Sequence, residues 1–136
     1  MSDQPSSAAE PAGTSGPETI ELHLPADARH AATARVVAAS LAADLGFDVD
    51  EIDDLRLGVN EAVAVLLDDR ATHGTGGLDV VFRISDRRID IEVSRPGATG
   101  GITLDELAER ILTAVVDHHD HVDGTVRLSK STRDAA

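Results

Sequence analysis

The chain has 136 residues, a length that suits one domain and hardly two. Its 12 Lys+Arg against 25 Asp+Glu give a net charge of −13, and 41% of residues are hydrophobic, with two phenylalanines the only aromatics. That balance excludes wholesale disorder and argues against a direct nucleic-acid partner; the absence of cysteine removes disulfides, thiolate zinc sites and thiol catalysis.

Residues 1–17 are almost entirely Ser, Ala, Pro, Gly and acids, and are expected to form a disordered tail. The folded unit then runs over residues 18–130, with a loose end at 131–136. No apolar run approaches the roughly 20 residues of a membrane span. The start lacks the basic cluster and apolar stretch of a signal peptide, so a soluble, cytoplasmic protein is expected.

In chain order, Ile20, Leu22 and Leu24 alternate with polar residues as in a strand buried on one face. Asp27 is placed to cap a first helix with apolar positions Ala34, Ala38, Leu41 and Leu45, stopped by Gly46. Asp48 and Glu51 form a capping-box variant for a second helix, stapled by Phe47 and Ile52, with a stripe through Leu55, Val59, Ala62 and Leu66. His73 to Gly77 reads as a glycine-rich turn. Leu78, Val80, Phe82 and Ile84, then Ile89, Ile91 and Val93, predict two strands joined as a hairpin through Ser85-Asp86-Arg87-Arg88. Thr103 with Glu106, and Ile102 with Leu107, repeat the box and staple for a third helix, with a stripe through Leu104, Leu107, Ala108, Ile111 and Val115. Asp117 to His121 reads as its polar end rather than a metal site, because consecutive helical residues point about 100° apart. Val126 and Leu128 close with a last strand.

The sum is an α+β two-layer sandwich in the order β-α-α-β-β-α-β. Its sheet is expected to be mixed, mostly antiparallel and of four or more strands, with three helices on one face.

Asp53-Asp54-Leu55-Arg56-Leu57-Gly58-Val59-Asn60-Glu61-Ala62 resembles the signature helix of the anti-sigma-factor serine kinases, in the GHKL (histidine-kinase-type) ATPase superfamily. Arg35 in the first helix, the Leu45-Gly46-Phe47 link and the run from Leu112 to Lys130 agree with that family's element order. The resemblance implies an ATP- and magnesium-binding kinase that sequesters a sigma factor and phosphorylates its antagonist, commonly as a homodimer.

The resemblance also makes Glu61 the counterpart of the family's proposed catalytic base. The magnesium-holding asparagine falls at Val65, which has no oxygen to offer, and Asn60 points elsewhere around the helix. The aspartate that accepts from the adenine amino group falls at Arg95, a permanent donor. The glycine-rich lid survives as Gly97, Gly100 and Gly101. Neither ATP nor a resident metal is therefore expected. The bland readings are a solvated helix glutamate for Glu61, a loop arginine for Arg95 and a flexible connection for the glycines. Asp50, Asp53 and Asp54, beside Asp44, Asp48 and Glu51, form an acidic patch that suits a basic sigma-factor surface or is simply solvated. Two functions remain: a regulator binding a sigma factor or its antagonist without phosphotransfer, or a working serine/threonine kinase.

Overall fold

The computed structural model describes residues 18–68, 77–97 and 102–133; the expected N-terminal tail, most of the turn at His73–Gly77, Gly100 and Gly101 lie outside them. Strand β1 (Glu18–Pro25) leads through a single 3-10 turn at Ala28–His30 into helix α1 (Ala31–Asp44). Asp27 caps that turn by accepting from the Arg29 N–H, so it starts the helical path one turn earlier than α1 itself. Gly46 ends α1 at φ 90°, a conformation that disfavours any side chain.

Helix α2 (Val49–Leu66) opens with the expected capping box between Asp48 and Glu51, and buries Leu55, Gly58, Val59, Ala62, Val63 and Leu66. Strands β2 (Gly77–Ser85) and β3 (Arg88–Ser94) form the expected hairpin, with Ser85 opposite Arg88. Their alternate residues Leu78, Val80, Phe82, Ile84, Ile89, Ile91 and Val93 are buried in one core with Ala34, Ala38, Leu55 and Leu66 from the helices.

Helix α3 (Glu106–Val115) departs from expectation at its start. Asp105, not Thr103, is the cap, accepting from the Ala108 N–H at 2.8 Å. A carboxylate two residues later competes for the same role, and its choice turns Leu107 outward, 66% exposed, while Ala108, Leu112 and Val115 go in. The expected staple from Leu107 is therefore not made.

The end of α3 departs further. Helix ends at Val115, and His118–Val122 is an extra strand, β4, antiparallel to β5 (Thr125–Ser131). The sheet has five strands in the order β1-β2-β3-β5-β4, and every pairing is antiparallel, which removes the mixed character expected from sequence. Lys130 turns inward and its Nζ donates to the Val115 carbonyl at 2.9 Å, holding the end of α3 to β5. The end expected to be loose is tied down as far as Arg133: Ser131 still belongs to β5 and Thr132 is buried.

Candidate functional site

Glu61 and Val65 lie one turn apart on α2 and share a half-buried face, as the spacing requires. Asn60 points towards α1, where the Arg35 guanidinium donates to its side-chain oxygen at 2.7 Å. It is thus committed to joining two helices.

Arg95 sits just beyond β3, its backbone N–H bound to the Gly124 carbonyl at 3.1 Å. Its Nη1 donates at 3.0 Å to the Leu66 carbonyl in the last turn of α2. Such carbonyls lack an intrahelical partner and mark the negative end of the helix dipole, so a guanidinium there is doubly favourable. Arg95 is accordingly a helix cap, beside the turn from which Glu61 and Val65 project. Gly97 follows at φ 81°, a conformation that favours glycine for backbone reasons alone.

At the other end of α2, Asp50 and Asp53 are exposed and Asp54 is half-buried. Asp53 lies 3.7 Å from Arg56. Glu51, counted with this patch on sequence, is only 1% exposed and does not belong to its surface. Its carboxylate accepts from the Asp48 N–H at 2.9 Å, the Thr132 hydroxyl at 3.2 Å and the Arg133 N–H at 2.6 Å. Burial alone would raise its pKa, but these donors outweigh burial and hold it below the ordinary value. Asp48 is also held low, first by the Glu51 N–H and then by Arg133, whose guanidinium lies 3.1 Å away. Sequence reading missed the contribution of Thr132 and Arg133, because no local pattern links residues eighty positions apart.

The face of the sheet away from the helices carries a groove of about 390 Å³. Arg83 and Arg127 both pair with Glu92 across it, at 3.0 and 3.6 Å, and Arg127 also reaches Asp120. The charges answer one another, so the groove presents no unmatched sign. On β4, His119 packs near the Thr113 hydroxyl at 3.3 Å, and among the described residues no three His, Asp or Glu are gathered for a metal. No described helix is long and apolar enough to cross a membrane.

No protein-family model matches the chain. Over 82 residues, 60% of this chain, it is 29% identical to the serine-protein kinase RsbW of Bacillus thuringiensis (strain Al Hakam), and equally to that of Bacillus anthracis (strain A0248). The chain spans about half the length of these curated relatives, 51% of each. A crystal structure of the RsbU and RsbW domains of Rv1364c from Mycobacterium tuberculosis matches with a TM-score of 0.60 at 20% identity, covering 85% of this chain and 32% of that one. The structural likeness establishes a shared α+β fold. The sequence likeness is homology to RsbW-type serine-protein kinases, in agreement with the resemblance carried by α2.

Proposed function

We propose that this protein is an anti-sigma-factor-like regulator. It acts in the cytoplasm by binding a sigma factor, the antagonist of that factor, or both, and its ATP site has eroded. Homology to the RsbW kinases supports the regulatory class. The observation that carries the loss of ATP is Arg95. Its guanidinium holds the Leu66 carbonyl, where the family resemblance requires an acceptor for adenine.

Val65 adds a second loss, because an alkyl group cannot ligate a hard cation. Each missing anchor costs about 1–3 kcal/mol. Two of them, without magnesium coordination, move a micromolar ligand towards millimolar. Calorimetric titration with ATP and magnesium should accordingly give no saturable heat at low micromolar concentration. A saturable isotherm there would overturn this reading in favour of the second, an active serine/threonine kinase. That alternative is favoured by the similarity to serine-protein kinases and by Glu61, which keeps a half-buried carboxylate on the helix.

The proposal includes a homodimer. Strands β1 and β4 are the two edges of the sheet, and β1 presents eight residues whose apolar members Ile20, Leu22 and Leu24 are only half-buried. An edge of this kind offers a second chain a strand to pair with. Light scattering at high protein concentration should return twice the chain mass, and a monomer mass would refute the dimer.

A further inference from the structure

Helix α2 starts at a carboxylate pair that already holds a guanidinium from beyond β5. Two grips join these segments, and they differ in strength. The inner grip is dry: the Thr132 hydroxyl and the Arg133 N–H both bond Glu51, which is 1% exposed, and the Thr132 N–H bonds the Arg87 carbonyl at 2.9 Å. Breaking it would strand a buried charge, so this grip is firm. The outer grip is wet. Arg133 Nη2 meets Asp48 at 3.1 Å with the two side chains 65% and 58% exposed, so water and salt compete for the same partners; its Nε also lies 3.4 Å from the buried Glu51 carboxylate.

We propose that Thr132 and Arg133 form a clasp over the start of α2, and that Arg133 screens its carboxylates until the arginine or lysine of a basic partner displaces it. This rests on the reading that a basic partner docks at that acidic end. The backbone stays anchored through Glu51 while the guanidinium alone swings away. The exchange is close to balanced at Asp48, where an incoming cation restores the ion pair; Glu51 gives up the Arg133 Nε but keeps its bonds from the Asp48 N–H, the Thr132 hydroxyl and the Arg133 N–H. Asp50 and Asp53, exposed beside Asp48, favour the incoming charge.

The test uses the full chain and an acetylated, amidated tetra-arginine peptide, titrated at low ionic strength while backbone amide shifts are followed. Arg133→Gln removes the charge and keeps the backbone N–H that serves Glu51. It should bind the peptide about two- to five-fold more tightly than the parent chain, in line with the modest strength of an exposed ion pair. The shifts should centre on Val49, Asp50 and Glu51. Arg133→Lys should behave as the parent does. Equal affinity for parent and Arg133→Gln, shifts centred elsewhere, or Arg133→Lys binding as tightly as Arg133→Gln would each overturn the clasp. Retained amide-exchange protection over Leu55–Leu66, in the body of α2, establishes that the variants are folded. The peptide needs no sigma factor, so the two readings fail separately. Failure to capture any sigma factor removes the partner and leaves a positive peptide result standing. Capture with identical kinetics by parent and Arg133→Gln removes the clasp and leaves the partner.

Discussion

Glu51 is the residue on which most of the local arithmetic turns. Its carboxylate is shared between the capping box of α2 and the segment after β5, so its removal leaves donors unpaired at both places. Glu51→Ala should therefore cost about 3 kcal/mol, well beyond the loss of an ordinary helix cap, and chemical denaturation would measure it. The pH dependence follows from the same bonds. The folded chain holds Glu51 and Asp48 below their ordinary values of 4.5 and 3.8, so their contribution is fully present above those values. It fades as the pH falls through the depressed folded values. Midpoints of unfolding measured from pH 6 downward should drop in the parent chain and drop less in Glu51→Gln, whose side chain does not titrate. His23 works in the opposite sense. Its bond to Asp79 raises its pKa, so that contribution is present in acid and lost as the pH rises through the raised value.

At the level of elements, legibility tracked how local the signal is. The Asp48–Glu51 box, the Gly46 stop and the β2–β3 hairpin are written in a few consecutive residues, and each stands where sequence placed it. Strand β4 was hidden because His118, His119, Asp120 and His121 have poor strand propensity and one apolar neighbour. It is an edge held by backbone bonds to β5, which no apolar pattern announces. One signal was available. Asp123-Gly124 is a favoured two-residue hairpin turn, and both residues adopt positive φ, 45° and 79°. The start of α3 failed differently, because Thr103 and Asp105 are both competent caps and the helix begins from the later one. Packing explains Gly58, buried on α2 with no turn to serve. A Cβ there would lie 3.2 Å from Val116 and 3.5 Å from Leu128, so the glycine lets α2 approach the end of α3 and β5. Gly58→Leu should overpack this contact by about 1–3 kcal/mol, and a thermal melt would register the loss.

For the whole molecule, charge sets how a partner arrives. A net charge of −13 surrounds the chain with a field that attracts basic surfaces, and Asp50 and Asp53 lie exposed at the start of α2. Long-range attraction of this kind acts on the encounter more than on the final complex, and salt screens it beyond about 10 Å. Asp50→Lys with Asp53→Lys should therefore slow association with the proposed sigma-factor partner at low salt and flatten the salt dependence. The dissociation rate should change little. Asp48 is not a suitable position for this test, because it caps α2 and holds Arg133, so its loss would mix stability with binding. Stopped-flow kinetics across a salt series separate the two rates. Unchanged association in the folded double variant would mean that Asp50 and Asp53 only solvate the helix, and that any partner meets this protein through another face.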